Sequence, residues 1–134
     1  MISVQPQFSV FLVNKPGVLA SVTGMLAQAD VNIVAMAMMD SVENGVMRFV
    51  CDSPDQARET LTRTGEHWSE TDVLVVRMNN EAGTIAKAAQ ILSEEHVSVA
   101  YAYITGGAGD GITNAVFKVS DTARATDAFR AQWS

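Results

Sequence analysis

Cysteine is almost absent from this 134-residue sequence: Cys51 stands alone, which excludes an internal disulfide framework and a zinc site of the usual multi-cysteine kind. Basic residues are scarce as well. Nine Lys and Arg against fifteen Asp and Glu give a net charge of -6, and no Lys/Arg cluster could neutralise a run of phosphates, so nucleic acid is not an expected partner. No apolar run approaches the roughly 20 residues that cross a bilayer, and the opening MISVQPQF lacks the basic start and apolar core of a leader. The expectation is a cytoplasmic chain with no membrane partner. Chemistry-bearing sets are missing too. His67 and His96 have no partner at metal-ligand spacing, and no Ser/His/Asp or Cys/His set with a base appears, which predicts no metal, no cofactor and no catalysis.

What is present is apolar side chains, 48% of the residues, enough for a packed globular protein, and an internal repeat. Sliding the chain by 66 residues sets 8–61 against 74–127 without a gap and yields 12 identities in 54 pairs, among them Asn14/Asn80, Gly17/Gly83, Leu26/Leu92 and Arg58/Arg124. Chance gives only a few. Other pairs exchange like for like, such as Leu19/Ile85, Ile33/Val99 and Val46/Ile112, so the chain holds two copies of one unit.

Both copies carry the same hydrophobic periods. FSVFLV (8–13) and VLVVRM (73–78) read as first strands. Val18, Leu19, Val22, Met25, Leu26 and Ala29, with Ile85, Ala88, Ala89 and Leu92 in the second copy, recur at three- and four-residue steps and predict amphipathic helices. Pro16 suits a first helical turn and Asn14 can cap it or shape the turn before it. VNIVAMAMM (31–39) and VSVAYAYIT (97–105) read as second strands, VMRFVC (46–51) and ITNAVFKV (112–119) as third strands, and 53–63 and 120–129 as short helices opening on Ser and Asp. A last strand falls near 68–72. The order β-α-β-β-α-β predicts an α+β fold of two ferredoxin-like units with antiparallel sheets, 1–72 and 73–134.

Two features of this plan need a partner. The second strand is apolar on both faces, Ile33, Ala35, Ala37 and Met39 alternating with Val34, Met36 and Met38, which predicts close association of the units and a homodimer. Under the 66-residue offset Trp68 maps to Ser134, so the second unit lacks its last strand; residues 1–5 or another chain are the candidates to fill that edge.

The strand-helix junctions carry the resemblance. NKPGVLASVTGMLAQADVNI and NNEAGTIAKAAQILSEEHVSV each hold Asn-x-x-Gly followed by a helix, and the chain resembles tandem ACT domains, small-molecule sensing modules attached to many enzymes of amino-acid metabolism. The first junction has Asn14, Pro16, Gly17, Val18 and Leu19, then Asn32 and Ile33. The second keeps Asn80, Gly83, Thr84 and Ile85 but has Ala82 for the proline and Ser98 for Asn32, which predicts a weaker second site. The resemblance spans nearly the whole chain and leaves no room for a catalytic domain. It implies a non-enzymatic regulatory protein that binds an amino acid or comparable small carboxylate at these loops, commonly across an interface between two ACT units.

Elementary chemistry agrees, because the free N–H groups of Gly17, Val18 and Leu19 at a helix start suit a carboxylate, and the helix dipole adds about 0.3–1 kcal/mol for a nearby anion. A runner-up implied by the similar small subunit of acetolactate synthase is a regulatory or structural subunit of an amino-acid-biosynthesis enzyme that binds no ligand itself. A small enzyme on a ferredoxin-like scaffold is a third reading, and no buried ionisable cluster is legible for it. GGAGDG (106–111) reads as a hairpin loop, because no Gly-Lys-Ser/Thr follows it and it lies between two strands. Cys51, opposite Phe117 in the repeat, reads as a small buried hydrophobe.

Overall fold

The side chains that alternate along β1 decide which face of each sheet becomes core. The structure, a computed structural model, describes residues 1–40, 44–106 and 111–133. Its elements are β1 (Ile2–Val13), α1 (Val18–Gln28), β2 (Ile33–Asp40), β3 (Asn44–Cys51), α2 (Pro54–Thr64), β4 (His67–Asn79), α3 (Thr84–Glu94), β5 (Val99–Thr105), β6 (Ile112–Val119) and α4 (Thr122–Gln132). They divide into two compact units, Pro6–Thr71 and a discontinuous one made of Met1–Gln5 and the chain from Asp72 onward.

In the N-terminal unit the strand order is β2-β3-β1-β4. Antiparallel register sets Phe8 opposite Phe49, Val10 opposite Met47 and Leu12 opposite Gly45. All six are buried on the face covered by α1 and α2, which contribute Val22, Leu26, Ala57 and Leu61 to one hydrophobic core with Trp68 at its margin. Tilted and edge-on aromatic contacts, Phe8 to Phe49 at 5.4 Å and Phe8 to Trp68 at 6.0 Å between ring centroids, add specificity to that burial. Cys51 lies in the same core, and burial pushes its thiol above the usual range.

The C-terminal unit repeats the plan with the order β5-β6-β4-β1. Leu74 faces Phe117 and Val76 faces Ala115, and α3 and α4 cover them with Ile91, Leu92, Ala125 and Phe129. Each unit thus lays two helices on one sheet face, the α+β fold that the repeat predicts, with the N-terminal unit running β-α-β-β-α-β and the C-terminal one β-α-β-β-α up to its last strand.

The missing last strand of the C-terminal unit is present after all, supplied from the start of the chain. Residues 2–5 of β1 lie beside β4, Arg77 donates its backbone N–H to the carbonyl of Met1 at 2.9 Å, and Ile2 packs against the C-terminal unit's core. β1 therefore begins six residues earlier than the sequence pattern suggests, and Pro6, which has no N–H to donate, opens the part of it that belongs to the other unit. The separately expected strands at 68–72 and 73–78 are one strand of 13 residues, β4.

The outer strands are left open. On β2 the side chains of Val34, Met36 and Met38 are 40–46% exposed while Ala35 is buried, and on β5 Val99 and Ile104 are comparably exposed. Residues 107–110 of the GGAGDG stretch lie outside the described residues.

Candidate functional site

The two helices that follow the first strands begin alike. α1 has Gly17 as its N-cap at φ 90°, ψ -15°, and α3 has Gly83 at φ 91°, ψ -15°. An L-residue is strained there. A Cβ added at either glycine would meet nothing within 4 Å, so what the position demands is conformation, not space. Pro16 accordingly sits before the cap instead of in the first helical turn, and the side chain of Asn14 makes no capping bond. The preceding turn is shared as well: Lys15 N–H donates to Val13 O at 2.9 Å, and Glu81 N–H donates to Asn79 O at 3.0 Å.

With a glycine at the cap, no side chain satisfies the first amides of either helix. In α1 the first N–H with a helical acceptor is that of Ser21, donating to Gly17 O at 2.9 Å; those of Gly17, Val18 and Leu19 have no acceptor among the described residues. In α3 Lys87 N–H donates to Gly83 O at 3.0 Å and Thr84 N–H reaches back to Glu81 O at 3.3 Å, while Gly83 and Ile85 have no acceptor among the described residues. Such amides, with the positive end of the helix dipole, attract an anion. Leu19 and Ile85, equivalent in the repeat, are both exposed beside them.

The two loops differ in the space beside them. In the N-terminal unit Asn14, Met38, Met39, Asp40 and Gly45 surround a hollow of about 250 Å³ that holds one acid and no base. In the C-terminal unit a cavity of about 540 Å³ opens beside Gly83 and Thr84. Small-molecule sites run to about 300–1,000 Å³, so only the second is of ordinary size. Two bases, Arg77 and Lys87, one acid, Glu81, the polar Asn79, and Met1, Met78, Ile112 and Trp133 also line it. The Lys87 ammonium lies 5.0 Å from the centroid of the Trp133 ring, a cation-π distance, and the Trp133 indole N–H donates to Arg77 O at 3.4 Å.

The remaining sequence-predicted residues lie elsewhere. Asn80 is exposed, donates its backbone N–H to Gly111 O at 2.7 Å and does not line the larger cavity. Asn32 and Ile33 follow the C-terminus of α1, and Ser98 follows that of α3. An 11-residue helix is about 16 Å long, so within a unit these residues stand a helix length from the glycine cap. Their backbone closes a junction: Asn32 N–H donates to the Asp52 carboxylate at 3.0 Å and Asp52 N–H donates back to Asn32 O, while Ser98 and Ser120 repeat the exchange. The Asn32 amide holds the Asp52 carboxyl below the usual range, with the Ser53 hydroxyl assisting.

Sequence reasoning missed Lys87, Trp133, Glu81, Met78 and Ile112. A signal existed in the repeat, where Ser21 becomes Lys87 and Lys15 becomes Glu81, a rearrangement of charge around one otherwise preserved loop. Among the described residues no group of three His, Cys, Asp or Glu could hold a metal ion, and no helix is long and apolar enough to cross a membrane.

Comparison with known proteins fits this geometry. No curated protein sequence matches the chain. A solved structure of a Bacteroides thetaiotaomicron protein is similar at 28% identity with a TM-score of 0.89, covering 98% of this chain and 90% of that one. The regulatory subunit of aspartate kinase from Thermus thermophilus shares the fold at 15% identity with a TM-score of 0.73, over 99% of this chain and 97% of that one. The corresponding subunit from Thermus flavus does so at 17% and 0.70, over 98% and 92%. The sequence pattern described as an ACT domain pair matches residues 2–131, and the chain belongs to that family.

Proposed function

We propose that this chain is a non-catalytic, cytoplasmic regulatory protein that senses a small molecule, an amino acid or a comparable carboxylate, at its strand-helix loops. The observation that carries the reading is the cavity beside Gly83, where unpaired amides at a helix start, the charged Arg77, Lys87 and Glu81 and the apolar Met78, Ile112 and Trp133 converge in one space. The shared fold with aspartate kinase regulatory subunits supports a regulatory role through association with an amino-acid-metabolism enzyme. Asn14, Pro16, Gly17, Val18 and Leu19 form the corresponding loop of the N-terminal unit; Asn32, Ile33 and Ser98, a helix length away, act where a second chain approaches. The half-exposed Val34, Met36 and Met38 on the outer strand β2 favour a homodimer as the form in which this happens.

Screening the twenty amino acids for a shift in melting temperature tests the reading. A ligand at a hundredfold excess over its dissociation constant stabilises the folded chain by about 2.7 kcal/mol. No shift with any of them, together with co-purification of a larger catalytic chain, would favour the ligand-free subunit instead.

A further inference from the structure

The two units repeat one plan, yet only the N-terminal one has an outer margin almost free of charge. In that unit α1 crosses from β1 to β2 over β3, so it flanks the β2 side of the sheet, while α2 crosses from β3 to β4 on the other side. From the start of α1 to Met39 the chain holds one charged residue, Asp30, whereas α2, α3 and α4 all carry charge on their exposed sides. Under the 66-residue offset Ser21 becomes Lys87 and Gln28 becomes Glu94, and the exposed Val34, Met36 and Met38 of β2 become Ala100, Ala102 and Ile104 of β5. β2 is bonded on one side only, to β3. An open edge is ordinarily guarded by a charge, a proline or a bulge; the bulge of β2 lies at its start, between Ile33 and Ala35, and its one charge is its last residue, Asp40, which leaves the middle bare.

We propose that β2 pairs antiparallel with β2 of a second copy of this chain across a twofold axis at Met36, extending the sheet of the N-terminal unit, while the β5 edge stays out of the contact. The inference rests on the homodimer in the reading above and specifies its surface and its register. Charge chooses the occupant. The margin offers nothing to steer a partner of opposite sign, but against itself it brings no like charges together, in a molecule whose net charge of -6 repels its copies over the rest of the surface. A twofold contact uses one patch twice, so the patch must suit itself, and apolar side chains around a bare strand edge do. On β5 the same pairing would cover two alanines where β2 has Val34 and Met36, and would bring Lys87 and Glu94 of α3 toward their own copies.

The side chains fix the register. Residues opposed in an antiparallel pair project from one face, so the axis must pass through a residue and not between two. With the axis at Met36, that residue meets its own copy and Val34 meets Met38, so the three exposed apolar side chains of each copy, 40–46% accessible in the single chain, cover one another. Asp40 then falls beside Asn32. An axis at Ala35 would set Met38 against Asn32, and one at Ala37 would set Val34 against the Asp40 carboxylate, each leaving an apolar side chain with a polar neighbour.

The whole chain is sized by light scattering and sedimentation, as wild type and with Met36→Lys or Ile104→Lys, and single cysteines read the register under diamide oxidation, with the buried Cys51 common to every variant. The expected result is a wild-type dimer whose dissociation constant rises at least tenfold in Met36→Lys and is unchanged in Ile104→Lys. Met36→Cys cross-links to its own copy, because the Cα atoms of opposed residues stand about 4.5–5.5 Å apart, within disulfide reach. Val34→Cys and Met38→Cys cross-link only when mixed with each other. If Met36→Lys fails to fold, the cross-linking pattern decides. A wild-type chain that is monomeric at about 100 μM, a dimer that Ile104→Lys dissociates, or the absence of a cross-link in Met36→Cys overturns the proposal. No ligand enters these measurements, so a wrong interface leaves amino-acid sensing standing, and an amino-acid screen without a hit leaves the interface standing.

Discussion

Two glycines seven residues apart should respond in opposite directions to the same substitution. Gly17 and Gly24 both have open space where a Cβ would go, with nothing within 4 Å, so neither alanine variant suffers a clash. They differ only in backbone. Gly24 lies inside α1 with ordinary helical dihedrals, where alanine recovers about 0.5–1 kcal/mol by limiting the freedom of the unfolded chain and favouring the helix. Gly17 sits at φ 90°, and forcing an L-residue there costs about 1–2 kcal/mol. The unfolded-state gain of about 0.4–1 kcal/mol offsets part of this, leaving Gly17→Ala destabilised by roughly 1 kcal/mol. For a chain of this length 1 kcal/mol moves the melting temperature by about 3–5 °C, so the two variants should separate by some 5–10 °C. Urea denaturation at fixed protein concentration, with the slope checked for constancy, measures both. Shifts of the same sign in the two variants would refute the claim that the helix caps are held by backbone conformation alone.

The same conformational argument applies at the other ends of these helices. Asp30 and His96 occupy left-handed positions at φ 62° and 56°, closed by Val31 N–H to Leu26 O and Val97 N–H to Leu92 O, so Asp30→Gly and His96→Gly should each stabilise by about 0.5–1 kcal/mol in urea, and a loss of stability in either would count against it. Arg58 grips Glu70 with two bonds of 2.7 and 2.8 Å and holds its carboxyl below the usual value, so Glu70 contributes stability above the ordinary glutamate range that is lost as pH falls through its depressed value. Glu70→Gln should therefore melt slightly below the wild type at pH 7 and converge on it in acid, the modest gap reflecting partial exposure; a gap constant with pH would contradict this. Ile2→Ala removes a half-buried side chain from the C-terminal core and should cost about 1 kcal/mol, with faster hydrogen exchange at the Arg77 amide; unchanged exchange there would mean that the N-terminal segment does not hold that edge.

The fold was largely legible because the chain states it twice. Identities at Gly17/Gly83, Leu26/Leu92 and Arg58/Arg124 fixed the offset, and the strand and helix periods then supported one another across the copies. The strand exchange was legible in part: the repeat left the second unit's edge open and named residues 1–5 or another chain to fill it, but the sequence did not choose between them or set the register. Residues 2–5 carry a weak pattern interrupted by Pro6, and their partners on β4 lie some 70 residues away, so no local signal sets their register. The polar Glu70, Thr71 and Asp72 likewise looked like a break, although β4 passes through them as a single strand. At the site, Gly17 and Gly83 could be read because only glycine suits the geometry, whereas Trp133 reaches the cavity from beyond α4, a placement that follows from tertiary packing. Of the two roles open to Asn14, capping the helix or shaping the turn before it, the glycine cap sets aside the first and leaves the amides to other partners.

The loan of residues 1–5 to the far module makes synthesis and dissection asymmetric. The strand that finishes the C-terminal half is translated ahead of the whole N-terminal unit, and at about 5–20 residues per second it waits roughly 6–25 s until residue 134 has been added. A single cut near Thr71 would strand that piece on the wrong fragment, so the C-terminal half cannot be excised intact. A gene segment encoding a transplantable C-terminal module would have to be circularly permuted, its lost edge spliced back on behind α4.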